Sequence, residues 1–401
     1  MNRRKLPIGI QAFHKIREDD YYYVDKTGLI LDLINKGTHY FLSRPRRFGK
    51  SLLIDTLKEL FEGNEPLFKD LAIQDQWDWS VQYPVLRFSF GSGDYSSLAY
   101  LKEDLDKQLS HLEQHFGIEP QFSHANGRFS DLLVQLNKRL QLPVVVLVDE
   151  YDKPILDALQ SPEVARENRN FLGSFYGTIK DHDAQVKFTF LTGVSKFSKV
   201  SIFSGLNNLS DITLDARYSS LCGYTNHDID TVFSSKLAGL DREEIQQWYN
   251  GYNWLGEGVY NPFDILQLFD KREFKSYWFE SGTPTFLIDH LAKNHFFSPD
   301  LSALPSDAEL LSAFDVDYMS NEALLFQTGY LTIHDVQQPL LGHWFYTLGY
   351  PNIEVQSSLN NSLLGAYGCD KSKVLHNRIS LLRILQSGAI AELETLFHAF
   401  F

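Results

Sequence analysis

Cysteine is nearly absent: Cys222 and Cys369 are the two among 401 residues. Two cysteines so far apart build neither a disulfide framework nor a zinc site. They fit a reducing compartment, each as a buried small hydrophobe. Long apolar runs are missing too. No stretch of about 18 apolar residues occurs, which excludes a membrane-spanning helix. The basic start (Arg3, Arg4, Lys5) is not followed by the apolar segment of a signal peptide. A cytoplasmic location is expected. Positive charge is scarce, with 37 basic against 51 acidic residues and a net charge of −14. That excludes a protein coating nucleic acid by charge alone and leaves room only for a local basic patch. The 13 histidines show no ligand spacing. Fixed-period repeats and low-complexity tracts are absent.

What is present starts with His39–Ser51, a short strand, a tight loop, and Gly49-Lys50-Ser51 opening a helix. A helix N-terminus offers unpaired N–H groups and partial positive charge to an anion. Lys50 would reach the β and γ phosphates of a nucleotide, and the Ser51 hydroxyl would coordinate Mg²⁺. Gly49 lets backbone approach phosphate because it has no Cβ. The general pattern asks for glycine five residues earlier, where Arg44 stands, so a chance Gly-Lys-Ser is the competing reading.

A second motif weighs against chance. Leu142–Glu150 is an aliphatic run ending in two carboxylates, which reads as a strand buried on both faces of a parallel sheet. Such strands carry functional groups at their C-terminal ends. Asp149 would hold the Mg²⁺ shell and Glu150 would polarise a water.

The length points to two or three domains, and 43% hydrophobic residues suffice for their cores. Strands are expected at 38–42, Pro84–Gly91 and Val186–Gly193. Helices are expected at 50–62, at 98–116 through Leu101, Leu105, Leu109, Leu112 and Phe116, at Phe129–Leu140, and from Pro162 through Phe171, Phe175 and Ile179. Alternating strands and helices to about residue 215 give an α/β class with a parallel sheet. The expected division is 1–215 for this core, 216–290 for a helical lid, and 291–401 for a mainly helical, winged-helix-like C-terminal region. Phe326–Ile333 reads as a turn and strand. The end, Ile379–Phe401, reads as a helix whose apolar tip awaits a packing partner.

Leu42–Ser51, Tyr23–Thr27, Val148–Pro154, Leu191–Phe197, Trp248–Tyr252 and Tyr260–Pro262 together resemble the AAA-ATPase-like bacterial proteins. The resemblance covers nearly the whole chain. It implies a P-loop ATPase core of the additional-strand type, with a sensor strand between the two motif strands. It implies ATP and Mg²⁺ as ligands, with Arg46, Arg47, Phe48, Gly49, Lys50, Ser51 and Leu52 around the nucleotide, Ser51 and Asp149 on the metal, and Glu150, Lys50 and Thr192 in catalysis. Family members carry Pro-Arg-Arg-Phe in the phosphate loop, which accommodates Arg44. Longer members continue into a domain similar to PD-(D/E)XK nucleases. This chain is expected to lack it, as a truncated or split member or one whose nuclease-like partner is encoded separately.

Other features divide between two readings each. Thr192 ends a strand where such ATPases sense the γ-phosphate, with Ser195 as second choice, or it is a turn-forming Thr-Gly. Arg46 and Arg47 neutralise phosphate, or reach a neighbouring subunit's nucleotide in a homo-oligomer, or are structurally paired. Asp152 is expected as a helix cap or surface ion pair rather than a metal ligand. Asp264 with Glu273 and Lys275 spells a nuclease-like signature, but the Asp lies in a helical segment, so it is read as a decoy. The aromatics from Trp248 to Phe279 are expected to be core rather than a base-stacking surface. The leading reading is a Mg-dependent ATPase coupled to a partner. The rivals are a non-hydrolysing nucleotide switch or scaffold and a nucleic-acid-binding regulator with a winged-helix-like segment near 305–350.

Overall fold

The computed structural model describes residues 4–196, 206, 208–282, 287–288, 291, 301–312, 316–317, 320–366 and 371–398. Phe197, Cys369 and the apolar tip at 399–401 lie outside these. Five parallel strands form the main sheet: β1 (His39–Ser43), β2 (Val85–Ser89), β3 (Val144–Asp149), β4 (Val186–Gly193) and β5 (Ser210–Asp211). Their order is β2-β3-β4-β1-β5, so β4 lies between the strand before the Lys50 loop and the strand that ends at Asp149.

Every residue of β3 is buried, as expected of an aliphatic strand covered by helices on both faces. The helices are α1 (Phe13–Glu18), α2 (Thr27–Lys36), α3 (Lys50–Phe61), α4 (Leu98–Phe116), α5 (Ala125–Leu140), α6 (Lys153–Leu156) and α7 (Pro162–Asp181). Leu101, Leu105 and Leu109 of α4 and Phe175 and Ile179 of α7 are buried, so the helical periodicity marked the correct faces. Helix α5 starts four residues before the expected Phe129, because the polar turn before it carries no apolar period. Strand β5 was not anticipated; two residues are too short to show alternation.

Parallel register brings the functional ends together. Ser43 pairs with Gly193, Val148 with Leu191, and Ser89 with Asp149, so the C-terminal ends of β1, β3 and β4 share one edge. Open α/β sheets bind ligands outside this edge.

The rest of the chain continues through α8 (Asn226–Thr231), α9 (Arg242–Tyr249), α10 (Pro262–Lys271) and α11 (Tyr277–Gly282). A smaller antiparallel sheet follows, of β6 (Leu304–Asp307), β7 (Thr332–Leu340) and β8 (His343–Gly349), in the order β6-β8-β7. Phe326–Thr328, expected as turn, instead closes the helix Asn321–Thr328, which Gly329 ends in the left-handed region at φ +92°. Propensity at those positions gave way to burial, since that helix is buried over its last six residues.

One apolar cluster runs from Phe13 through the main sheet to Leu363 and includes Trp254, Trp278 and Tyr330. A second gathers Ile229, Phe233, Ile245, Tyr249, Tyr260 and Phe269. The aromatic-rich stretch is therefore core: Tyr249, Tyr252, Tyr260 and Trp278 are all at most 1% exposed. No helix among the described residues is long and apolar enough to cross a membrane.

Candidate functional site

The loop from Arg44 to Gly49 links β1 to α3. Gly49 precedes the helix at φ +91°, ψ 13°, where an L side chain is strained, and a Cβ there would meet nothing within 4 Å. Glycine is thus required by backbone conformation, and the space beside it is open. The first amides of α3 have no carbonyl one turn back to accept from them, which makes this end an anion site. Arg47 is also left-handed at φ +68°.

Lys50 is buried, and its Nζ donates to Arg44 O and Pro45 O, each at 2.9 Å. Burial pushes its pKa down, while the carboxylates of Glu150 and Asp149 oppose that shift. Those two acids lie within electrostatic reach of the lysine at the same sheet edge, and α3 packs against β3. Glu150 follows β3 in the left-handed region at φ +55°. Burial raises its pKa, and Lys50 is the largest influence holding it down.

Thr192, at the end of β4, donates its hydroxyl to Asp149 Oδ1 at 2.9 Å. Ser195 Oγ donates to Asp152 Oδ2 at 2.5 Å. Asp152 is not the surface or capping acid that was expected. It is 1% exposed, accepts from the amides of Val194 and Ser195, and makes no side-chain cap to α6. Its carboxylate anchors the turn after β4. Gly193 leaves room for it, since a Cβ there would lie 2.5 Å from Asp152 Oδ1.

The remaining loop residues divide their work. The Arg47 guanidinium lies over the ring of Phe263, 5.1 Å from its centroid. Arg46 offers its carbonyl to the Trp278 indole N–H at 2.9 Å, and its charge helps to hold Glu150 ionised. Phe48 is buried edge-on against Tyr252 and Trp254, at centroid distances of 4.8 and 5.5 Å. Its ring is an anchor for the loop. Ser51 and Leu52 follow on the first turn of α3, both partly exposed.

Sequence reasoning missed the work of Arg44. It is fully buried, donates to the carbonyls of Ser43, Thr213 and Tyr218, and stacks 4.0 Å over Trp254. Burial lowers its pKa to about 10. A guanidinium with planar donors satisfies three carbonyls at once, which glycine cannot do. The missing loop glycine was the available signal, but its partners are about 170 residues away.

Two cavities flank the loop. One of about 80 Å³ opens beside Gly49 and Leu52 and is walled by Tyr23, Phe48, Cys222 and Tyr224. The larger, about 550 Å³, lies behind Ser43–Pro45 against Thr213, Trp254 and Gln327 and includes neither Lys50 nor the paired acids. The smaller one adjoins the N-terminal tip of α3 at Gly49.

The other motifs are structural at the positions described. Asp25 accepts from Thr27 N, Thr27 Oγ1 and Ala72 N, and Lys26 pairs with Asp228 at 2.6 Å. Gly251 lets backbone approach Pro351, whose carbonyl oxygen would sit 1.9 Å from a Cβ. Asn261 caps α10. Asp264 is buried on α10, whereas Glu273 and Lys275 are exposed and ion-paired with each other, so the nuclease-like signature does not assemble. His14 comes beside Asp55 and Glu59, a grouping hidden from spacing, but both carboxylates already hold other partners.

A sheet with the sensor strand between two motif strands, a lysine-tipped phosphate loop and an acidic strand end define a P-loop NTPase core of the additional-strand type. The family model described as "Predicted AAA-ATPase" matches residues 7–203, and the chain belongs to this AAA-ATPase-like family. The chain is also similar to a protein of Azotobacter chroococcum mcd 1 described as "Uncharacterized protein in vnfD 5'region". They are 56% identical over 402 residues, covering all of this chain and 78% of the relative.

Proposed function

We propose that this protein is a cytoplasmic bacterial ATPase that binds Mg·ATP at the Lys50 loop and hydrolyses it. The observation that carries the reading is the shared sheet edge at which the Lys50 loop, after β1, meets Asp149 and Glu150 at the end of β3, beside the open N-terminal tip of α3. The donors fit magnesium: a hydroxyl from Ser51 and a carboxylate from Asp149 are hard oxygen ligands, and Thr192 fixes one Asp149 oxygen. Bound there, Mg²⁺ would offset charge on the phosphate oxygens.

In this reading Lys50 exchanges the carbonyls of Arg44 and Pro45 for the β and γ phosphates. The ammonium is already desolvated, so its attraction to phosphate is strong. Glu150 accepts the proton of the attacking water. Its burial raises the carboxylate's basicity, which suits a general base working near neutral pH. Thr192 acts through Asp149, and Arg46 adds positive charge near Glu150. The base occupies the cavity at Tyr23, Leu52 and Tyr224. A partner, either a nuclease-like chain or a second copy in a homo-oligomer, would receive the nucleotide state. The exposed Leu375, Ile379, Leu382 and Leu385 offer it apolar surface.

A second reading, a switch that binds ATP without turnover, is favoured by one observation: the phosphate loop is bonded directly to α11 in the 216–290 segment through Trp278. Phosphate release measured on wild type, Lys50→Ala and Glu150→Gln, with and without DNA, separates the two. Turnover in wild type, loss of ATP binding in Lys50→Ala, and retained binding without turnover in Glu150→Gln are expected. Wild-type binding with no phosphate release leaves the switch. Unchanged ATP affinity in Lys50→Ala removes the site.

A further inference from the structure

The phosphate loop is held from outside by a residue more than two hundred positions away. Three successive loop carbonyls accept from side chains: those of Arg44 and Pro45 from Lys50, and that of Arg46 from the Trp278 indole. Carbonyls turned toward these donors leave the N–H edge of the loop for an anion. Lys50 is drawn to phosphate when nucleotide arrives. The Trp278 indole carries no charge for phosphate to attract, so nothing in that reading draws it from the Arg46 carbonyl.

Trp278 is seated with unusual care. It is 1% exposed, and its ring packs against Tyr330 and Tyr252 at centroid distances of 5.3 and 6.3 Å. Its backbone N–H is shared by Asp264 Oδ1 at 2.8 Å and Glu354 Oε1 at 2.9 Å, and Glu354 also accepts from Phe279 N at 3.2 Å. The second oxygens, Asp264 Oδ2 and Glu354 Oε2, are buried with no hydrogen-bond donor among the described residues. Two carboxyls in one apolar pocket do not both ionise; a proton between them satisfies both. Burying such a pair is costly, and apolar side chains would fill the space at less cost. The pair converges on the amide of Trp278, whose indole bonds the Arg46 carbonyl.

Gly329 is an independent contact to the same place. At φ +92° it brings its backbone so close that a Cβ would lie 2.6 Å from Pro45 Cγ and 3.4 Å from Trp278 Cζ2. The segment under this clamp contains Arg47 at φ +68°, a conformation that persists only when its surroundings impose it.

We infer that Trp278, seated by Asp264 and Glu354, is a positioning residue for the phosphate loop: it fixes the Arg46 carbonyl and thereby the path of Arg46–Phe48, so that the C-terminal region sets nucleotide affinity. This rests on the ATP-binding reading above. Reciprocity requires that bound nucleotide stabilise the Trp278 seat by the same factor.

The full chain is tested as wild type, Trp278→Phe and Glu354→Leu. Trp278→Phe keeps an aromatic ring and removes the N–H. Glu354→Leu disturbs the seat without touching the loop. Calorimetry gives Kd for Mg·ATP and Mg·ADP, steady-state turnover gives KM and kcat, and melting gives Tm. Losing one hydrogen bond that orders the loop should raise both Kd values roughly tenfold, with KM rising in step and kcat at saturation within about twofold. Glu354→Leu should show the same split. A lower Tm with unchanged Kd in either folded variant overturns the inference and leaves the ATP reading intact. A wild type that binds neither nucleotide overturns both.

Discussion

The Thr192 hydroxyl and Asp149 Oδ1 are joined across 2.9 Å, at the adjacent ends of the sensor strand and the acidic strand. The bond holds one oxygen of the Asp149 carboxylate and leaves the other to a different partner. Outer-sphere partners of this kind tune metal affinity by roughly 10–100-fold. Thr192→Val should therefore raise the Mg²⁺ concentration needed for ATP binding about tenfold, and Thr192→Ser should restore it. Mg²⁺ titrations followed by calorimetry decide; equal Mg²⁺ dependence in all three proteins would count against the role.

Gly49→Ala separates strain from collision. No atom lies within 4 Å of the added methyl, so the folding cost comes from φ +91° alone, about 1–2 kcal/mol. The methyl projects into the space proposed for phosphate, so ATP binding should fall far more than stability. Denaturant melts beside binding isotherms check this.

Leu52→Trp fills the cavity beside Tyr23 and Tyr224. If that cavity holds the base, ATP affinity should drop roughly tenfold while inorganic tripolyphosphate binds as before. Equal losses for both ligands would move the base elsewhere.

Arg44→Ala takes the guanidinium donors from the buried carbonyls of Ser43, Thr213 and Tyr218, of which Tyr218 keeps the Leu221 N–H, and leaves a void under Trp254. The expected loss is about 3 kcal/mol or more, read from chemical denaturation. A near-neutral result would show the three carbonyls finding other donors.

The carboxyl pair gives a pH signature. Burial lifts Glu354 to about 7 from its ordinary 4.5, and burial with the neighbouring Glu354 pushes Asp264 well up. The groups facing them are Glu280 and the phenols of Tyr249, Tyr252 and Tyr277. The folded state binds more protons than the unfolded chain between these values, so stability falls as pH rises from about 4.5 through 7. Glu354→Gln should flatten that slope, measured as Tm against pH.

Much of the core was legible because it is local. The β-branched run at Val144–Val148 can be comfortable only between two layers, and Leu101, Leu105 and Leu109 share a face by helical geometry alone. Glycine at position 49 before a lysine signals its own backbone angle. The acidic pair Asp149–Glu150 and the loop before Lys50 were legible for the same reason: each motif is contiguous.

The rest depended on residues meeting across the fold. Asp152 looks like a surface acid until the turn after β4 closes over it. Arg44 looks like a defect in a loop pattern until Thr213, Tyr218 and Trp254 arrive around it. The amino-acid order by itself determined the α/β class, the phosphate-loop lysine and the acidic strand end, because period, propensity and helix-tip electrostatics act within a few residues. Only the tertiary structure decided that Thr192 holds Asp149, that Asp264 and Glu354 share one amide, and that Trp278 grips the loop. Those bonds join residues whose separation in the chain carries no information about their separation in space.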